Sequence, residues 1–259
     1  IIIIMNNKKN KSSVDKSKIV KIIDPPEDQI NSLINLYKSG QISKTEKECR
    51  ELHKKFQQSL IVINILGATL QRQGKLKEAV SIYEKAIQIR PDYLDAYNNR
   101  GIALVELGEL DKAVTSYKQA IQIRPDYAEA FYNLGNALQE LGQLNEAIKS
   151  YEKVIQIRPD SAEAYNNRGI ALVELGELNE AIKSYEKAIK IKKDYAEAYS
   201  NCGIALQELR KLSEATESFR KAISIAPENE IFWDTFAHCL QAVRFTSCDE
   251  SLVYDLLQI

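Results

Sequence analysis

The chain has 259 residues, room for one large domain or two small ones, and 35 Lys+Arg against 36 Asp+Glu leave a formal charge of −1. So even a balance gives no electrostatic ground for a nucleic-acid or acidic-membrane partner. Two histidines and four scattered cysteines without a C-x-x-C pair supply no metal cage, and no run of 18 apolar residues offers a membrane span.

The first 24 residues (IIIIMNNKKNKSSVDKSKIVKIID) are rich in Lys, Asn and Ser and poor in aromatics, which predicts a basic, flexible tail over 1–24. The leading IIIIM is too short to span a bilayer, and the basic segment follows it, the reverse of a secretory signal. Ile19, Val20, Ile22 and Ile23 give residues 17–23 an apolar side that can pack on what comes next. Pro25 and Pro26 open a degenerate helix pair within 25–59, predicted over 27–39 and 43–56. Leu33, Leu36, Gly40, Ile42 and Leu52 keep the register of the later repeats, while Thr45 and Cys49 stand where Ala and Tyr recur.

Residues 60–229 hold five consecutive units with a step of 34 residues. Gly67, Gly101, Gly135, Gly169 and Gly203 fall on the step, and so do Tyr83, Tyr117, Tyr151, Tyr185 and Phe219. A period of this length marks a repeat array. Within a unit, Tyr97, Arg100, Gly101 and Leu104 trace one stripe of a helix, and Leu110, Ala113, Tyr117, Ala120 and Ile121 trace a second. Gly74, Gly108, Gly142 and Gly176 mark the turn between them, and Pro-Asp closes most units. Asp92, Asp126, Asp160 and Asp194 are the expected caps of the following helices, each with an acid three residues on. The small residues let paired helices lie close, and each Tyr fills the wedge between neighbours. These patterns define an all-α solenoid of antiparallel helix pairs.

Over 230–259 the pattern changes to a terminal cap. Phe232 to Arg244 predicts one more first-type helix, with Trp233 and Leu240 in register, and a short helix then starts at Ser247 or Asp249 and runs through Leu256 and Leu257. Trp233, Phe236, Phe245 and Tyr254 make it aromatic. The chain stops within an apolar pattern at Ile259, which reads as a fragment of a longer protein.

The W/Y-x-x-L/R-G-x-x-L … A-x-x-x-Y-x-x-A … P pattern resembles the tetratricopeptide repeat family over about residues 26–245, most strongly over 60–229. That resemblance implies a right-handed superhelix like the repeat regions of bacterial transferases and of O-linked N-acetylglucosamine transferases. Arg100, Arg168 and Cys202 depart from it at the usual leucine, Arg210 at a turn glycine and Lys193 at proline. NNRGIALVELGEL recurs identically at 98–110 and 166–178, whereas the unit between reads NLGNALQELGQL, so duplication of a two-unit block is the simplest history.

The first helix of each pair forms the inner face of such a solenoid. With Tyr97, Arg100, Gly101 and Leu104 on the packed arc, the wheel opposes to them Asp95, Asn98, Asn99, Ile102, Val105 and Glu106. Later units place Tyr132, Asn133, Asn136 and Glu140, then Asn166, Asn167 and Glu174, then Asn201 and Glu208 on that arc; the first full unit places Asn64 and Arg72 there. Two files result. The asparagines Asn99, Asn133, Asn167 and Asn201 can hold an extended peptide backbone, as the resemblance to O-linked N-acetylglucosamine transferases implies, or can bond across to the neighbouring helix. The glutamates Glu106, Glu140, Glu174 and Glu208, ended by Arg72, either favour a basic or polar partner or form a solvated face. Relatives that clamp a chaperone's C-terminal carboxylate need Lys and Arg along this face, and Arg72 alone does not supply them. Arg100 and Arg168 are read either as stems covering apolar surface or as anion contacts.

No residues are placed for catalysis, and no cofactor or metal is expected: His53 and His238 lie in the degenerate pair and the terminal cap, and no Gly-rich phosphate loop follows a strand. The sequence thus predicts a non-enzymatic, cytoplasmic interaction scaffold with reduced cysteines. Its partner is a protein or peptide held in the concave groove, with no nucleic acid and no membrane. The alternative is the substrate-recognition segment of a larger glycosyl-, sulfo- or methyltransferase; the third is a self-association module.

Overall fold

The computed structural model describes residues 23–242, and every regular element among them is an α-helix. The tail through Ile22, the short helix expected through Leu257, and Phe245, Cys248 and Tyr254 lie outside the described residues. Two compact units divide the chain, one ending at Pro125 and the other starting at Asp126.

The first unit holds α1 (Glu27–Lys38), α2 (Ile42–Lys55), α3 (Leu60–Arg72), α4 (Leu76–Ile89), α5 (Leu94–Glu106) and α6 (Leu110–Ile123). The second holds α7 (Ala128–Glu140), α8 (Leu144–Ile157), α9 (Ala162–Glu174), α10 (Leu178–Ile191), α11 (Ala196–Glu208), α12 (Leu212–Ile225) and α13 (Glu230–Ala242). Inside each unit consecutive helices pack on one another, and the first helices of successive pairs also touch, α3 on α5, α7 on α9 and α9 on α11. Each unit is therefore a helix-pair solenoid with its first helices side by side.

Close approach within a pair depends on glycine facing an aromatic ring. A Cβ added at Gly169 would stand 2.5 Å from Tyr185 Cε1, closer than any real carbon contact. Tyr83, Tyr117, Tyr151, Tyr185 and Phe219 fill the space this leaves and are no more than 2% exposed. The degenerate pair keeps the volume but exchanges its sides: Leu33 and Cys49, both fully buried in one core cluster, occupy the Gly and Tyr positions.

The turns follow the expected glycines. After α3, the Lys75 N–H donates to Leu70 O and Gly74 has φ +72°, the left-handed stop of a helix. Arg210 makes the same turn between α11 and α12 at φ 61°, the one non-glycine in that region among the described residues.

The caps differ from expectation. The residues before α5, α7, α9 and α11 are Tyr93, Tyr127, Ser161 and Tyr195, and of these only Ser161 caps with its side chain, accepting from Ala164 N–H. Asp92, Asp126, Asp160 and Asp194 sit one residue too early, exposed in the turn between successive helix pairs. Ser59 supplies a cap that the spacing did not mark. Its hydroxyl accepts from Val62 N–H and donates to Asp24 Oδ1 at 2.6 Å.

A four-residue ion network fastens the degenerate pair to its neighbour. Glu46 of α2 accepts from Lys75 Nζ at 2.9 Å and from Arg50, and Arg50 reaches Glu78 of α4 at 2.6 Å.

Candidate functional site

Neighbours on several sides cover most of an inner helix, so only a narrow strip stays open. Helix α9, for instance, packs on α7, α8, α10 and α11 at once. The helical wheel, which assumes a single packed arc, therefore overstates the open one. Asn64, Asn98 and Asn166, expected on it, are 6%, 2% and 4% exposed. Asn99, Asn133, Asn167 and Asn201 are half-buried, while Asn136 and Glu106, Glu140, Glu174 and Glu208 are exposed.

Three residues of the asparagine file are engaged between neighbouring pairs. Asn99 Nδ2 donates to Asn64 Oδ1 at 2.8 Å, Asn167 Nδ2 to the Tyr132 hydroxyl at 2.9 Å, and Asn201 Nδ2 to Asn166 Oδ1 at 3.1 Å. Each bond spans 35 residues, one repeat plus one position. In these three bonds the position just before the file is the acceptor for the next pair's amide, which is the structural role foreseen as one of two readings for this file. The glutamates carry a matching bond nearer the other helix end: Gln71 Nε2 donates to Glu106 at 2.6 Å and Gln139 Nε2 to Glu174 at 2.5 Å.

Helix α7 differs from its neighbours. Tyr132, Asn136 and Gln139 stand where α5 and α9 carry Asn, Ile and Val. Asn136 Oδ1 accepts from Tyr151 Oη at 2.8 Å and from Asn167 Nδ2 at 3.1 Å, and the Tyr151 hydroxyl also lies 3.0 Å from Gln139 Oε1. The Tyr132 and Tyr151 rings meet edge to face at 6.1 Å. Burial raises the pKa of both phenols, so both remain O–H groups near neutrality. The NLGNALQEL variant sequence marks this helix, but the tie to Tyr151 on α8 is a tertiary contact that no spacing within α7 reveals.

The cations are occupied. The Arg72 guanidinium lies 5.0 Å over the Tyr37 ring and donates to Tyr37 O, so it belongs to the end of α1. Arg100 donates to Ser116 Oγ at 3.1 Å beside the Tyr97 ring, and Arg168 binds both Ser184 and Glu152. Both arginines fit the reading of stems laid over packed helices. Among the described residues no cluster of His, Cys, Asp and Glu could hold a metal ion, and no helix is long and apolar enough to cross a membrane.

Helix pairs stacked so that their first helices present amides and carboxylates on one strip define a helical-repeat interaction scaffold. The chain belongs to the tetratricopeptide repeat family: the family model described as TPR repeat matches residues 67–108, 103–142, 135–176 and 169–210, and the one described as Tetratricopeptide repeat matches 196–229. Among solved structures it is similar to MamA, at 27% identity and TM-score 0.60 over 63% of this chain and 95% of that one. It is also similar to YrrB, described as a TPR protein with an unusual peptide-binding site, at 22% identity and TM-score 0.60 over 72% and 96%. PilF of Pseudomonas aeruginosa matches at 16% identity and TM-score 0.68 over 82% and 96%; at such identities the last two likenesses concern the fold alone. Among curated proteins no sequence matches the chain.

Proposed function

We propose that the chain is a non-enzymatic scaffold whose inner helices hold an extended, basic segment of a partner protein. The observation that carries this reading is the charge of the open strip in the second unit. Helices α7, α9 and α11 hold the glutamates Glu129, Glu140, Glu163, Glu174, Glu197 and Glu208, and their one cation, Arg168, is turned to Glu152 and Ser184. Charge of one sign beside amide donors favours a segment of opposite charge whose backbone is free to pair. Since Asn99, Asn167 and Asn201 are already bonded between pairs, their role here is to fix the spacing of the helices, and the exposed acids and the α7 amides face the partner.

The test is fluorescence anisotropy with a labelled, unstructured dodecapeptide of alternating Lys and Ser, against its Glu–Ser counterpart. The Lys–Ser peptide is expected to bind, with affinity falling as salt rises, and the combined E140Q, E174Q and E208Q variant to bind several-fold more weakly. Equal affinity for the two peptides would refute the charge reading. A scattering mass that grows with concentration and competes with the peptide would mean that a second copy fills the strip.

A further inference from the structure

The second helices α2 and α4, which take no part in the inner strip, leave a cleft of about 580 Å³ near their C-terminal ends. His53, Lys54, Gln57, Gln58, Lys85 and Gln88 line it, so it offers cations and amides and no carboxylate. The acids of the same helices are placed elsewhere. Glu46 and Glu78 belong to the ion network, and Glu51 and Glu84 do not line the cleft. Among the described residues neither Lys54 nor Lys85 is held in an ion pair.

The repeat shows what is unusual here. One step further on, at α4 and α6, the positions of His53, Lys54, Gln58 and Lys85 read Ile87, Gln88, Asp92 and Gln119, with an acid and no base. Isoleucine recurs at the His53 position as Ile87, Ile121, Ile155, Ile189 and Ile223, and an acid recurs at the Gln58 position as Asp92, Asp126, Asp160, Asp194 and Glu228. The first cleft gives up both. Complementing the helix dipole accounts for bases in the last turn of α2, but Lys85 lies before the last turn of α4, and α4, α6, α8 and α12 end without a base.

Packing does not explain His53 either, since its Nδ1 is buried without a hydrogen-bond partner. A buried lone pair without a donor is tolerated better than a buried N–H without an acceptor, which puts the ring proton on Nε2. Burial, and then the Lys85 ammonium, push the His53 pKa below its ordinary 6.5, so near neutrality the ring is an uncharged donor. We infer that this cleft holds a phosphate monoester: Lys54 and Lys85 offset its charge, while His53 Nε2 and the glutamine amides donate to its oxygens. Two lysines suit a group carrying about −1.5 to −2 at neutral pH better than they suit a single carboxylate. The site is separate from the acidic strip, so its failure leaves the proposed function untouched.

The test follows the two histidine ring resonances of the full chain as inorganic phosphate is added at constant ionic strength. The His53 signal, assigned by its loss in His53→Ile, is expected to move to saturation while that of His238 stays fixed. Lys54→Gln with Lys85→Gln, two changes at exposed positions, should weaken binding about tenfold with helical circular dichroism retained. A short Gly–Ser peptide with one phosphoserine then identifies the source of the group. Tighter binding of this peptide than of phosphate, with its unphosphorylated form inert, assigns the cleft to a modified side chain of a partner; binding no tighter than phosphate assigns it to a small phosphate compound. A His53 signal that does not respond, or that moves as far with chloride, overturns the inference. So does undiminished affinity in the double lysine variant.

Discussion

Asn99 reaches back to Asn64 across one repeat and one residue, its amide donating at 2.8 Å to an oxygen that is almost wholly buried. The geometry makes this residue a spacer between α3 and α5. Asn99→Ala leaves the Asn64 oxygen unpaired in the core and is expected to cost about 1–3 kcal/mol. Urea unfolding checks it, and a loss within error of zero would remove the spacer role.

Gly169 and Tyr185 are expected to behave as one packing unit. Gly169→Ala drives a methyl into a ring 2.5 Å away and should cost about 1–3 kcal/mol. Because Leu33 and Cys49 fill the same two positions in the first pair, Gly169→Leu with Tyr185→Cys should be less destabilising than the sum of the two single changes. Strict additivity in a double-mutant cycle would contradict this.

Arg210 occupies a turn where Gly40, Gly74, Gly108, Gly142 and Gly176 all have positive φ. A side chain with a Cβ is disfavoured in that conformation by about 1 kcal/mol. Arg210→Gly should therefore raise stability by up to about 1 kcal/mol, read as a higher urea midpoint. A lower midpoint would show that the arginine makes a compensating contact.

The Glu46 network gives the first helix pair an acid sensitivity. A hydrogen bond from Lys75, and a further one from Arg50, hold the Glu46 carboxyl down to about 2 from an ordinary 4.5, against the opposing pull of its own burial. A carboxylate depressed on folding stabilises the fold above its unfolded pKa, and that contribution is lost as pH falls through the folded one. The window is thus from about 4.5 down to about 2. Glu46→Gln should cost about 1 kcal/mol at pH 7, since the partners are partly exposed, and the gap to the parent chain should close across that window. A gap that stays constant with pH would mean that Glu46 acts through packing rather than charge.

Three thiols are expected to be inert in the folded chain. Burial pushes Cys49 and Cys202 up to about 12 and raises Cys239 as well. In a Cys248→Ser background, a disulfide reagent such as Ellman's should find no fast-reacting thiol under native conditions and all three in urea. A fast native thiol would locate local opening near one of these residues.

Much of the fold is legible in the sequence because the repeat states it five times. The Gly–Tyr apposition, the turn glycines and the helix bounds all recur at the 34-residue step, and the structure places α1 and α2 within about a residue of their expected spans. What escapes is whatever depends on a second neighbour. A helical wheel assigns Asn98 and Asn166 to the open arc, since nothing within one helix announces that the adjacent pair will cover them. The Asp caps fail for a local reason, as the turn between pairs takes one residue more than the spacing suggests, at Lys193-Asp194 as at Pro-Asp. Around Asn136, the variant residues are visible in the sequence, but their connection through Asn167 and Tyr151 exists only once α7, α8 and α9 are packed.

In a solenoid, where contacts run only between neighbours, the ends are the natural places for unravelling to begin. Ser59 alters that order at the N-terminal side. One hydroxyl both starts α3 and grips Asp24, so the irregular segment leading into α1 is tied to the third helix. Peeling from this side cannot release α1 alone: the first step must break the Ser59–Asp24 bond as well, and a protease or unfoldase pulling there would meet the first pair and the start of the second as a single obstacle.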